Sequence, residues 1–250
     1  MKQFKKKIPR IYLKKKIEIN QKISIKNEKK HYIKSVMRMK KNDIINIFNN
    51  TNYVFKSIII KIKKKIIIKI IKKKIINNES NLKINLGQSI SRNSSMSWII
   101  QKSSELGVHS ITPIICKKSF LKYNLKKKIK KWKKISISAS EQCERNLITQ
   151  IKKPIKLKKW IKSLKSDKNI FFTPKKIKYN SKFLLKKFNK INILIGSEKG
   201  LSKKEIKLCL KNNFLHMNLG KRILRTETAC ITAISIIQYK YGDLNIFNKI

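Results

Sequence analysis

An α/β protein with a small β-rich domain at its N-terminus is the fold that three features of the sequence predict. Alternating and β-branched runs fill residues 1–76 with little helical periodicity. From Leu82 onward, apolar strand-like runs alternate with helical spacings, the pattern of a sheet covered on both faces. The six glycines, at 87, 107, 196, 200, 220 and 242, all fall in this second part. The expected domains are therefore residues 1–76 and residues 77–250.

In the first domain, IINIF from Ile44 and YVFKSIII from Tyr53 read as strands. The tract KIKKKIIIKIIKKKII (61–76) is open to two readings, a solvated hairpin shaped by compositional drift or a dedicated lysine stripe for RNA. The polar run NNESN (77–81) reads as a linker. LKINLG from Leu82 then reads as a strand, and Ser94 or Ser95 can cap a helix running through Trp98, Ile99 and Lys102. Gly107 suits a left-handed cap at its end. SITPIIC follows as a strand, and residues 125–145 carry Ile129, Trp132, Ile135 and Ala139 at helical spacing. NIFFTP (169–174) and INILIG (191–196) look like buried strands. Ser202 and Glu205 are spaced as a capping box opening a helix after Gly200, and a last helix is expected from a cap at Thr226 to Gly242.

Composition narrows the function classes. The formal net charge of +52 comes from 64 Lys+Arg against 12 Asp+Glu, a nucleic-acid footprint in an ordinary protein. Here the basic residues are almost all Lys, beside abundant Ile and Asn, and all three share AT-rich codons. Selection for RNA and drift in base composition therefore both remain open. Arginine occurs only at 10, 38, 92, 145, 222 and 225. The four cysteines are far apart with no CxxC pair, which argues against a zinc site or a disulfide framework. No apolar stretch approaches the roughly 20 residues of a membrane span, and the basic N-terminus lacks the apolar segment of a signal peptide. A soluble cytoplasmic protein with no metal is expected.

Residues that run against such a bias mark positions the chain could not easily give up. Glycine, arginine and glutamate concentrate in four windows: WIIQKSSELGVHSITPI (98–114), SASEQCERN (138–146), ILIGSEKGLSKKEI (193–206) and LGKRILRTETACITAI (219–234). In the third, a strand ends in a glycine turn that leads into a helix, the usual ligand position at the carboxyl edge of an α/β sheet. Its GxxxG spacing fits neither the dinucleotide nor the phosphate-loop fingerprint, so a tight turn without a ligand stays open. The fourth places Gly220, Arg222, Arg225 and the Thr226–Glu227–Thr228 run at a helix start. Such a loop can hold a charged polar ligand, or be an ordinary cap with Arg225 in a surface ion pair.

Taken together, the four windows resemble one family, the 16S ribosomal RNA uridine-N3 methyltransferases of the SPOUT superfamily. The likeness extends from IPRIY (8–12) and VMRM (36–39) through QKSSELGV, SEQCERN and IGSEKGLS to LGKRILRTETA and the closing YGDL (241–244). It implies a PUA-like β-barrel followed by a parallel-sheet domain with a C-terminal trefoil knot. It also implies a homodimer that binds S-adenosylmethionine in the knot crevice and acts on 16S ribosomal RNA in the small subunit. Alternatives are a related enzyme for another RNA site, or an RNA-binding assembly factor that has lost activity.

Carried over by residue, the resemblance puts Ile195, Gly196, Glu198 and Gly200 in a first cofactor loop. Leu219, Gly220, Ile223, Leu224, Arg225, Thr226 and Ala229 fall in a second, and Thr173 and Pro174 in a further one. Where the family has Pro-Glu-Gly-Gly, this chain has Ser197-Glu198-Lys199-Gly200, losing a fixed φ and a permissive glycine together. The family's charged turn is likewise replaced by Arg92-Asn93-Ser94-Ser95. Methylating uridine N3 requires removal of a proton or stabilisation of the anion that forms. Arg225 can supply the cation, and Glu141 or Glu198 can accept the proton or serve only as an ion pair or cap. Arg10, Arg38, Lys102 and Arg145 are the expected RNA contacts.

Overall fold

The computed structural model describes residues 8–120, 125–164, 168–174 and 188–245, so the basic heptad at the N-terminus lies outside them. The chain divides into two compact units. The first comprises residues 1–79 with 141–147, and the second residues 80–140 with 148–250. The return of 141–147 to the first unit has no counterpart in the linear boundary read from the sequence.

In the first unit, β1 (Arg10–Tyr12), β2 (Lys22–Ile25), α1 (Asn27–His31), β3 (Ile44–Phe48), β4 (Tyr53–Ile62) and β5 (Ile66–Ile75) follow one another. They form a five-stranded sheet in the order β1-β3-β4-β5-β2, antiparallel except for the β1–β3 pair. Period-2 alternation does the sorting: Ile66, Ile68 and Ile70 are fully buried, whereas Lys72, Lys73 and Lys74 are exposed. The Lys/Ile tract is thus a hairpin with an isoleucine core face and a solvated lysine end. A helical turn the strand-rich reading did not include, α1 continuing into a π-helical turn at Tyr32–Val36, buries Ile33.

The 76–79 stretch is not a free linker. Glu79 receives Arg145 through Nη2 at 2.6 Å and Nε at 3.1 Å, and Asn146 Nδ2 donates to the Ile76 carbonyl. Arg10 Nη2 donates to Asn146 Oδ1 at 2.7 Å and to the Arg145 carbonyl, with its guanidinium over Phe48. These bonds attach 141–147 to the first unit.

The second unit contains β6 (Lys83–Ser89), α2 (Asn93–Glu105), β7 (Ser110–Ile115), α3 (Leu125–Gln142, its last two residues in the first unit), β8 (Gln150–Ile151), β9 (Ile155–Lys156) and α4 (Leu157–Lys162). These are followed by β10 (Lys168–Phe172), β11 (Lys190–Ile195), α5 (Lys203–Lys211), β12 (Leu215–Met217) and α6 (Thr226–Tyr241). The strands make one parallel sheet in the order β12-β10-β11-β6-β7-β8, with β9 also on β7. Both faces are covered, as the continuous apolar strands require. Ile191, Ile193 and Ile195 of β11 join the cluster with Met96, Ile99 and Ile234 of α2 and α6, while Leu194 joins that of Trp160, Ile161 and Ile206 from α4 and α5. Within the sheet Ser110, Asn85, Asn192 and Asn169 lie side by side in register and pass hydrogen bonds of 2.7–3.0 Å across four strands. Buried amides are thereby satisfied by one another.

Helix ends agree with the sequence in part. Ser202 and Glu205 form the capping box, and Gly107 follows α2 with φ +79°. Neither Ser94 nor Ser95 caps α2; its N-cap is Arg92, with no side-chain cap. Thr226 is likewise inside α6 instead of capping it, because its hydroxyl is engaged elsewhere.

Candidate functional site

β6 and β11 are spatial neighbours separated by about a hundred residues of chain, so the connections depart in opposite directions there. In open parallel sheets the carboxyl ends beside such a reversal leave a crevice. A cleft of about 780 Å³ lies at these ends. Its walls come from the segments after β10, β11 and β12, and from the starts of α2 and α6.

The first wall is the 196–200 turn. Gly196 packs backbone on backbone, since a Cβ there would lie 3.0 Å from the Gly200 Cα. Gly200 N–H closes the turn on the Ser197 carbonyl at 2.7 Å, with φ +65° at Gly200. At Ser197, where the resembled family has proline, Oγ donates to the Lys118 carbonyl at 2.8 Å, and Lys118 Nζ donates to the Lys199 carbonyl at 3.1 Å. Side-chain hydrogen bonds thus hold the loop that lacks proline's fixed φ.

The second wall is 218–225. Thr226 Oγ1 donates to the Gly196 carbonyl at 2.7 Å and joins the two glycine loops. Gln88 Nε2 reaches the same carbonyl, the Thr226 hydroxyl and the Ser89 carbonyl, all from a fully buried side chain. The third segment is tied in by the Thr173 carbonyl against His216 Nε2 at 3.1 Å. Ile223 is 86% exposed on the rim, an apolar side chain offered to whatever enters.

Of the residues expected to hold a cofactor, Thr173, Pro174, Ile195, Gly196, Glu198, Gly200, Leu219, Ile223, Leu224, Arg225, Thr226 and Ala229 line this cleft, and Gly220 does not. Folding brings onto one cleft expected positions that run from Thr173 to Ala229, 56 residues further along the chain. Arg225 is exposed at the N-cap of α6, and Glu198 accepts the Arg92 backbone N–H at 2.9 Å through one oxygen.

Glu141 does not line the cleft, a correction to its expected role as a base. It lies in the first unit, accepts the Tyr12 N–H at 2.9 Å and faces Lys29, which itself bonds to the Tyr12 carbonyl. Burial raises the Glu141 pKa more than the Tyr12 N–H, Lys29 and Arg10 lower it. A carboxyl whose folded pKa exceeds its unfolded value loses stability as pH rises between the two values. Glu141→Gln keeps an acceptor for Tyr12 without the buried charge. Its melting temperature should exceed wild type at neutral pH, and the difference should vanish below the ordinary carboxylate range; a constant difference across pH would refute the charge explanation.

The expected RNA contacts fare unequally. Arg10 and Arg145 are 6% exposed and committed to the network described above, so they are structural. Lys102 is paired with Glu105 at 2.8 Å on its own helix. Arg38 is exposed, in left-handed backbone with φ 53°. Cleft residues outside the expected set include Arg92, Lys118, Ser197 and Arg222, and sequence reasoning also missed Gln88, which braces the two loops without lining the cleft. A polar residue ending an apolar strand was the available signal for Gln88, and the scarcity of arginine was the signal for Arg92 and Arg222.

A parallel α/β unit with a glycine-loop cleft, following a separate β unit, has the plan of an RNA methyltransferase. A family model for the RNA methyltransferase domain matches residues 78–238, and one for the RNA methyltransferase PUA domain matches residues 25–72. The chain is similar to the ribosomal RNA small subunit methyltransferase E of Buchnera aphidicola from Schizaphis graminum, 47% identical over 96% of this chain and 100% of the relative. Its counterpart in Buchnera aphidicola from Acyrthosiphon pisum is 45% identical over 95% of this chain and 96% of the relative. The crystal structure of ribosomal RNA small subunit methyltransferase E from Neisseria gonorrhoeae, bound to S-adenosyl methionine, superposes with a TM-score of 0.88. It is 28% identical and covers 95% of this chain and 100% of that one. The chain belongs to the ribosomal RNA small subunit methyltransferase E family.

Proposed function

We propose that the protein transfers a methyl group from S-adenosylmethionine to N3 of a uridine in 16S ribosomal RNA of the small ribosomal subunit. Residues 1–76 serve as the RNA-binding domain and residues 77–250 as the methyltransferase domain of a cytoplasmic homodimer. The observation that carries this reading is the closure of three separate segments, 173–174, 195–200 and 219–229, on one cleft. A C-terminal trefoil knot belongs to the reading and is consistent with that closure. For the dimer, support comes from α2 and α6, which pack together and leave Trp98, Ile236 and Tyr239 exposed at 50%, 41% and 58%.

The cleft fits the cofactor chemically. Its volume of about 780 Å³ is that of a small-molecule site, and the 196–200 turn brings backbone to its wall without side-chain bulk. Bound there, the cofactor supplies an electrophilic methyl group on a sulfonium. The chain's residues do the rest. Leu219, Leu224 and Ala229 give apolar contact, Gly196 and Gly200 allow close approach, and Thr226 and Gln88 hold the two loops in register. Arg225 stabilises negative charge on the uracil as N3 loses its proton, and Glu198 accepts that proton. Orientation by the loops brings the nitrogen and the methyl carbon into line.

Calorimetry and thermal melts with S-adenosylmethionine test the reading, together with mass spectrometry of 16S ribosomal RNA from cells with and without the protein. Ligand at 100 times its Kd should stabilise the fold by about 2.7 kcal/mol. Neither heat nor stabilisation at millimolar ligand, or an unchanged uridine, would reject it. Gly196→Ala should weaken cofactor binding by roughly tenfold to a hundredfold, because the added methyl displaces the Gly200 backbone. An unchanged Kd would mean that the turn does not shape the cofactor site.

A further inference from the structure

The rim of the cleft carries more positive charge than a methyl donor can use. Five exposed cations line it, Arg92, Lys118, Lys199, Arg222 and Arg225, against two carboxylates, Glu198 and Glu227. Among the described residues none of the five is in an ion pair. S-adenosylmethionine has one carboxylate against an ammonium and a sulfonium, so it is a net cation and is repelled by the surplus. The surplus has to face an anion, and the other substrate of a methyl transfer to RNA is a polyanion.

Drift alone explains a lysine excess, but it does not explain the arginines. Nearly every cation of this chain is lysine, yet three of its six arginines line this one cleft. Two others, Arg10 and Arg145, are buried in a network that uses the planar guanidinium fork. Arginine thus persists in this chain where geometry demands a fork, and lysine serves where a point charge is enough. At an exposed rim, the partner that demands a fork is a phosphate or a carboxylate.

We infer that Arg92 and Arg222 form a phosphodiester clamp on the cleft rim, gripping the RNA backbone beside the nucleotide to be methylated. Lys118 and Lys199 add to the same field. Lys118 does so while one Nζ proton bonds the Lys199 carbonyl, which couples the clamp to the 196–200 turn. Arg225, the first residue before α6, remains for the reacting base. The clamp deepens the methyltransferase reading and rests on it for the identity of the anion.

The test uses the full-length protein and the variants Arg92→Gln, Arg222→Gln, Arg92→Lys and Arg222→Lys. Lys211→Gln, an equal loss of charge on exposed α5 away from the cleft, is the control. Binding of a labelled ten-nucleotide oligouridylate is measured across a salt series, cofactor affinity by calorimetry, and steady-state methylation on small ribosomal subunits from cells lacking the protein. Each Gln variant should flatten the salt slope by about 0.7, the loss of one phosphate contact on single-stranded RNA. KM for subunits should rise about tenfold, as a charge-assisted bond is lost, with cofactor affinity unchanged. The Lys variants should recover the slope but only part of the KM, and Lys211→Gln should match wild type. Unchanged slopes and KM in the Gln variants overturn the clamp. So does a fall in cofactor affinity with the salt slope intact, which would assign the arginines to the cofactor carboxylate. If wild type neither binds the cofactor nor methylates subunits, the methyltransferase reading fails. The oligouridylate slopes then still decide whether the arginines hold RNA.

Discussion

Arg225→Ala is expected to methylate small subunits on the order of 100-fold more slowly than wild type, with an unchanged melting temperature, the usual effect of losing one preorganised donor at a developing charge. The side chain is exposed, so its removal leaves no buried group unpaired. Its backbone, at φ −61° and ψ 155°, is the extended N-cap of α6, which starts the side chain from a rigid helix end and not from a mobile loop. Arg225→Lys keeps the charge but loses the planar fork, and its rate should fall between the two. Single-turnover methyl transfer and a circular dichroism melt on the same preparations check this. A surface ion pair would be worth at most about 1 kcal/mol of stability and nothing in rate. Wild-type turnover from Arg225→Ala would remove it from the chemistry and leave Glu198 as the charged residue of the reaction.

Arg145→Ala should destabilise the first unit by about 3 kcal/mol, near the lower end for breaking a buried pair because the Glu79 side chain retains 16% exposure. Among the described residues, the loss leaves the Glu79 carboxylate with only the Leu147 N–H at 3.3 Å of the bonds that oriented it. Differential scanning calorimetry reads the effect, since all three tryptophans, at 98, 132 and 160, lie in the second unit and fluorescence would miss it. Pairing Arg145→Met with Glu79→Gln removes both charges and should recover much of the stability. A change below about 1 kcal/mol in the single variant would class the pair with surface bridges.

The strands of the second unit were legible because burial on both faces leaves unbroken apolar runs such as NILI and NIFF, which few other structures tolerate. Its glycine turns were legible for a related reason: in a chain depleted of glycine, Gly196 and Gly200 survive where backbone meets backbone. The α1 and π-helical turns were missed because five-residue segments are too short for a periodicity to show. Thr226 was misread for another reason. A hydroxyl at a helix start looks like a cap, and only the approach of the Gly196 carbonyl from thirty residues away gives it a different partner.

Arginines divide the two sources of information most clearly. Their scarcity is a property of the sequence, and by itself it marks positions 10, 38, 92, 145, 222 and 225 as under constraint. The kind of constraint was invisible there, since a guanidinium fork satisfies a buried carboxylate and an external phosphate equally well. Arg145 became structural because the chain returns at 141–147 and sets it against Glu79, and Arg10 because the same return presents Asn146. Arg92, Arg222 and Arg225 became cleft residues because three distant segments end at one edge of a parallel sheet. Local sequence sets a residue's chemistry and backbone preference, whereas its partner depends on contacts between distant parts of the chain, 30 residues apart for Thr226 and Gly196, 66 for Arg145 and Glu79 and 136 for Arg10 and Asn146, which no local pattern encodes.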